Sequence, residues 1–186
     1  YYTDNANISD ESDLFSIIGS LKLTTPNGNN NFKVGQTNYI DWEQYAVSLI
    51  NISYTTDNAT WTPLETYYNA SDHPYDWALD NDTMVSNSVI VKLEDTSNPI
   101  VNDTSNSTFA IIAVFNITQP ESGHSVIAEE SYNINWTKQG LGVDNVTLQY
   151  TPTAQVGGNW TDVVTTGDHT VPNTGGYPWN LPADII

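Results

Sequence analysis

The residues with the clearest chemistry in this chain are asparagines. Asn-x-Ser/Thr, the acceptor pattern for N-linked glycan, begins at Asn7, Asn51, Asn58, Asn69, Asn81, Asn102, Asn106, Asn116, Asn135, Asn145 and Asn159. Random placement of 22 Asn and 38 Ser or Thr over 186 positions gives roughly 4.5 such triplets. Composition therefore accounts for under half of the eleven.

A second constellation is acidic. Asp80-Asn81-Asp82-Thr83 follows Trp77, and Asp10 and Asp13 precede the first repeat described below. Hard oxygen ligands on loops suit Ca²⁺, and a cation between tandem domains stiffens them. Asp80, Asp82, Asp10 and Asp13 are thus candidate calcium ligands, against the simpler reading of diffuse cation binding. None of these stretches has EF-hand spacing.

Other chemistry is missing. There is no Cys, so disulfides and thiolate metal sites drop out. His73, His124 and His169 are scattered, and no His-Glu-x-x-His spacing occurs, so zinc is not expected. A Gly-x-Ser-x-Gly elbow and a phosphate-binding glycine loop are both absent. Carboxylate pairs such as Glu129-Glu130 or Asp80 with Asp82 say little in a chain with 22 Asp and Glu. The sequence reads as a non-enzyme.

Charge narrows the partners. Lys22, Lys33, Lys92 and Lys138 are the only basic side chains besides His, and the net charge is −18. Nucleic acid and anionic membrane both demand basic patches, so neither is expected as a partner. The longest apolar run, Phe109 to Phe115, is strand-sized, far below the roughly 20 residues of a membrane span. Secreted eukaryotic domains of this size commonly use disulfides, so a Cys-free chain leans towards a prokaryotic surface. The start Tyr-Tyr-Thr-Asp, with neither Met nor signal peptide, suggests a processed protein or a piece of one.

The elements that must position these groups are strands. Ile50, Ile52 and Tyr54 alternate with polar residues, as do Val146, Leu148 and Tyr150, and Val89, Val91 and Leu93. Turn residues separate such runs at Pro26-Asn27-Gly28, Ser97-Asn98-Pro99, Gly157-Gly158 and Asn173-Thr174-Gly175-Gly176. On a strand, positions i and i+2 share a face. Asn51, Asn116, Asn135, Asn145 and Asn159 then point away from the apolar face of Ile52, Ile117, Trp136, Val146 and Trp160. The glycan acceptors face solvent, where sugar also guards sheet edges against aggregation.

The pattern repeats. Pro26 and Pro120, Trp42 and Trp136, Phe15 and Phe109, and Ile17 and Ile111 are each 94 residues apart. Downstream, Tyr54 answers Tyr150, Trp61 answers Trp160, and Tyr75-Asp76-Trp77 answers Tyr177-Pro178-Trp179, with small insertions in the second copy. About seven strands in such a period is the dimension of an immunoglobulin-like sandwich. The fold expected is all-β, a tandem of immunoglobulin-like β-sandwiches. Trp42 and Trp136 are expected in the core, where such domains often carry a disulfide. Trp61 and Trp160 are open between core and an exposed carbohydrate-stacking role.

Residues 20–112 form a complete copy. Residues 113–186 form a second copy without counterparts of Ser88 to Leu93 and Thr104 to Ile112. Residues 1–19 read as the terminal strand of a preceding repeat or as a donor strand. The arrangement fits either a window of a longer array or a subunit that self-associates by strand addition.

The stretch Pro26 to Trp42, with Pro-Asn-Gly and then Val-Gly-Gln-Thr-Asn-Tyr-Ile-Asp-Trp, resembles a family of microbial surface repeats. Ile52 to Asp57, Thr60-Trp61, Tyr75 to Trp77 and Asp95 to Ile111 continue the likeness. These are similar to the immunoglobulin-like repeats named after Ser/Thr-rich GPI-anchored membrane proteins. Pro120-Glu121-Ser122-Gly123 departs from the pattern. The resemblance implies S-layer proteins, stalks, filaments or spacers of large secreted enzymes. The leading expectation is a glycosylated structural protein of the cell surface, a segment or subunit of an S-layer or extracellular filament that self-associates. N-glycosylation favours an archaeal or eukaryotic source over most bacteria. An adhesin or carbohydrate-binding array, or a spacer in a secreted enzyme, are the alternatives.

Overall fold

The computed structural model describes residues 10–151 and 159–183, and every regular element in them is a β-strand. The first nine strands are β1 (Ser20–Thr25), β2 (Asn31–Lys33), β3 (Thr37–Tyr45), β4 (Leu49–Thr55), β5 (Thr62–Asn69), β6 (Tyr75–Ala78), β7 (Ser86–Asp95), β8 (Asn102–Thr104) and β9 (Phe109–Ile112). They make two sheets. One runs β1-β3-β6; the other runs β2-β9-β7-β4-β5, with β8 paired to β7. All ladders in this copy are antiparallel except β2 with β9. Two facing sheets with crossovers between them are an immunoglobulin-like sandwich.

The alternation in the sequence places the core. Ile40 and Trp42 on β3, Ile50 and Ile52 on β4, and Val89, Val91 and Leu93 on β7 are all buried. Each such aliphatic side chain contributes about 1.5–3 kcal/mol by leaving water. Trp42 fills the centre, and its Nε1–H donates to the Ala70 carbonyl at 2.9 Å. That bond satisfies the one polar atom the indole brings inside. Phe32 packs against both Trp77 and Phe109, closing the far end of the sandwich.

The second copy begins at once. Strand β10 (Val114–Gln119) follows β9 with Ala113 alone between them. It pairs with β11 (Ser131–Gln139), which pairs with β16 (Gly176–Asn180). This sheet reproduces β1-β3-β6 in register: Ile117 pairs with Trp136 as Leu23 pairs with Trp42, and Ile134 with Tyr177 as Ile40 with Tyr75. A register shift follows Ile117 just as one follows Leu23. Trp136 is buried and donates from Nε1 to Asn173 Oδ1 at 2.8 Å. The ring pair Tyr54–Trp77, with centroids 5.0 Å apart, recurs as Tyr150–Trp179 at 4.9 Å.

The facing layer of this copy is slighter. It holds β12 (Asn145–Val146) paired with β15 (Val171–Pro172), and β13 (Gln149–Tyr150) paired with β14 (Thr161–Asp162). Its described residues include no counterpart of β7, β8 or β9. The core is thinner as a result. Leu23 is 1% exposed, whereas its equivalent Ile117 is 64% exposed. Residues 10–19, read from sequence as a strand, belong to none and sit outside both sandwiches.

Candidate glycan acceptors and the module junction

Ten of the eleven acceptor asparagines are described; Asn7 lies outside the described residues. None of the ten is buried. Asn58, Asn69, Asn81, Asn102, Asn106, Asn116, Asn145 and Asn159 are exposed, and Asn51 and Asn135 are half-buried. The strand argument holds at its simplest on β11, where Asn135 and Thr137 flank the buried Trp136 on the opposite face. On β10, Asn116 lies directly across from Thr137, so two sequons share one patch of the outer sheet. In the first copy, Asn51, Glu94 and Asn102 form a row across β4, β7 and β8.

Local chemistry distinguishes the acceptors. The side-chain amide of Asn135 donates to Gln119 Oε1 at 2.6 Å, and that of Asn102 donates to the Pro99 carbonyl at 2.7 Å. Asn51 instead uses its oxygen, accepting from the Tyr67 amide at 3.2 Å. Asn58 stands on a turn organised by its neighbour. Asp57 Oδ1 accepts from the Thr60 amide at 2.7 Å, the Ala59 amide at 2.9 Å and the Thr55 hydroxyl at 2.9 Å. Those bonds, with Thr60 foremost, hold the Asp57 carboxyl far below its ordinary range. They also fix Asn58 in the left-handed region at φ 57, which Asn tolerates better than most residues. Nothing in the repeat pattern pointed to this turn; the signal was the tendency of Asp to bond amides two and three residues on.

The candidate calcium ligands are separated. Asp80 and Asp82 are exposed on the loop after β6, and Asp10 and Asp13 are exposed on the segment before β1. Among the described residues no three His, Asp or Glu side chains come together as a metal-ligating group. A Ca²⁺ ion on Asp80 or Asp82 would therefore draw most of its ligands from carbonyls and water.

That loop has another role, which the sequence did not reveal. It docks onto the turn after β11. Gly140 N donates to the Asn81 carbonyl at 2.7 Å, Leu141 N to the Thr83 carbonyl at 3.0 Å, and Val85 N to the Leu141 carbonyl at 3.0 Å. Met84 and Leu141 form a parallel bridge. Gly140 is buried at φ +104, and a Cβ there would lie 3.1 Å from Val85 and 3.3 Å from Ala113. Only glycine meets both demands cheaply. The two copies are thus joined by backbone hydrogen bonds as well as by the chain itself.

The histidines act locally. His73 Nδ1 lies 2.8 Å from Asp41 Oδ1, and His169 Nδ1 lies 2.8 Å from Asp162 Oδ2. The Gln149 side chain, and then His169, lower the Asp162 carboxyl from its ordinary range. A cleft of about 640 Å³ carries the carboxylates Asp57 and Asp80 among threonines and apolar side chains. Asp57 is already committed to its turn. The aromatic question divides: Trp61 is half-buried with the Lys92 ammonium 5.0 Å above its ring, while Trp160 is 56% exposed.

No family model matches the chain, so the likeness to Ser/Thr-rich GPI-anchored repeats rests on its motif residues alone. No curated protein sequence matches it either. Among solved structures, the fibronectin(III)-like modules of Clostridium thermocellum CbhA align over 86% of this chain and 78% of that chain. The identity is 10% and the TM-score 0.26.

Proposed function

We propose that the chain is a glycosylated structural protein of the cell exterior, two immunoglobulin-like modules serving as a rigid segment of a surface layer or filament. The observation that carries this reading is the division of its side chains. Trp42, Trp77 and Trp136 turn inward, while every described glycan acceptor stays at or near the surface. Such a module presents sugar and acid to its surroundings and keeps its large apolar groups for cohesion. The hydrogen-bonded junction supports the mechanical part of the role, since a joint without free linker resists bending. The charge of −18 agrees with a surface kept soluble by self-repulsion. Catalysis forms no part of the reading. A carbohydrate-binding array would be favoured by matched open rings in both copies, but Trp61 lies beneath Lys92 where Trp160 is open.

Surface labelling tests the placement. A membrane-impermeant amine reagent applied to intact cells that make this protein should modify its lysines without lysis. Labelling that appears only after the cells are broken would overturn the proposal.

A further inference from the structure

One acceptor triplet, Asn81-Asp82-Thr83, is also the docking loop of the module junction. The carbonyls of its first and third residues accept from the Gly140 and Leu141 amides at 2.7 and 3.0 Å. The bonds that fix Asn51, Asn102, Asn106 and Asn135, by contrast, each stay within one module. A sugar on Asn81 would therefore be rooted at the joint itself.

The Asn81 side chain is placed to carry one. It is exposed, and no described residue ties its carboxamide by a hydrogen bond. Its main chain is committed to the second module, so modification of Nδ2 leaves the joint's backbone bonds in place. The Gln139 side chain, from the second module, lies against Gly35, where a Cβ would also fall 3.0 Å from Asn81 Oδ1. The acceptor thus stands on the seam, with groups of both modules around it.

Beside it is a seat. A cleft of about 270 Å³ is lined by Gly35, Gln36, Thr37, Asp80 and Asn81 among others. Its backbone rim is tied by Gly35 N to the Leu79 carbonyl at 2.7 Å and by Leu79 N to the Gln36 carbonyl at 3.2 Å. The walls offer a carboxylate, a carboxamide and a hydroxyl, so they can both accept from and donate to sugar hydroxyls. A bond from a hydroxyl to the Asp80 carboxylate is of the stronger, charge-assisted kind. The chemistry suits a saccharide, and Asn81 in the wall supplies the point of attachment.

We propose that the glycan on Asn81 lies in this cleft as a brace, holding the loop Asn81 to Val85 where it receives the second module. This rests on the glycosylated reading above and gives one of its sugars a mechanical role. Attachment forms the bond from Asn81 Nδ2 to the sugar's anomeric carbon and breaks that carbon's bond to a phosphate-linked donor. The amide proton leaves with the phosphate. Once seated against Gln36 and Thr37, the sugar ties the docking loop to the turn between β2 and β3. The loop then has fewer open positions to visit, and the bonds to Gly140 and Leu141 break less often.

Amide hydrogen exchange of the glycoprotein from its own cells, read by mass spectrometry over residues 139–142, tests this. Thr83→Ala and Asn81→Gln each destroy the acceptor triplet, whereas Thr83→Ser keeps it; all three retain the backbone carbonyls of the joint. The Gly140 and Leu141 amides should exchange about tenfold faster in the first two variants than in the parent chain and Thr83→Ser. Unchanged protection of β3 and β11 checks that both modules are folded. Asn81→Gln carries the test if Thr83→Ala disturbs the half-buried Thr83 site. Equal exchange in all four chains overturns the brace, as does a Thr83→Ser chain that behaves like Thr83→Ala. Bare Asn81 in the parent glycopeptides overturns it too. Surface labelling reads the other proposal: a chain labelled on intact cells whose joint ignores the sugar loses the brace alone.

Discussion

At the scale of single residues, the account rests on which atoms are satisfied inside and which are offered outside. Trp42 and Trp136 occupy equivalent places, yet they solve the indole N–H problem differently, one with the Ala70 carbonyl and the other with the Asn173 side chain. The inward turn of both rings was legible from their alternation with Ile40 and Ile134; the acceptors were not, because they come from loops of unequal length. Asp57 shows the opposite balance. It is fully accessible, so its value is local: three donors favour the carboxylate over the acid. Its folded pKa is depressed, so its contribution is complete above the ordinary value of 3.8 and fades only as pH falls through the folded value. Asp57→Ala should therefore lower the melting temperature at pH 6, and the gap to the parent chain should narrow towards pH 1. Thermal melts monitored by circular dichroism decide this, and a gap that widens in acid would contradict the assignment.

At the scale of elements, repetition made the sheets readable and left the joint between modules hidden. The period-two runs around Ile52, Val91 and Trp136 predicted strands because side-chain burial alternates with the pleat. The junction leaves no such trace, since it is built from backbone groups of Asn81, Thr83, Gly140 and Leu141. Gly140 is the residue that reveals it. Gly140→Val would place a branched side chain at positive φ and against Val85, where an L-residue costs about 1–2 kcal/mol before any clash. The expected outcome is two intact modules that tumble with separate alignment tensors in residual dipolar couplings. The parent chain should show one tensor for both. A shared tensor in the variant would mean that the hydrogen-bonded loop does not set the angle between modules.

At the scale of the whole molecule, the chain is a register of 94 residues run through twice, with its described Asn-x-Ser/Thr triplets at or near the surface. The acidic composition and the Asn-x-Ser/Thr triplets were plain in the sequence. The thinness of the second core was only partly so, because an absent strand pairing becomes visible as exposed Ile117 and Val126 rather than as a motif. The central claim is the outward placement of acceptors on inward-packed sandwiches. Site-resolved glycopeptide mapping of the protein from its own cells measures it most directly. Glycan should be found at most of the eight exposed acceptors and at lower occupancy on the half-buried Asn51 and Asn135. Bare asparagine throughout, or glycan confined to those two half-buried sites, would contradict it.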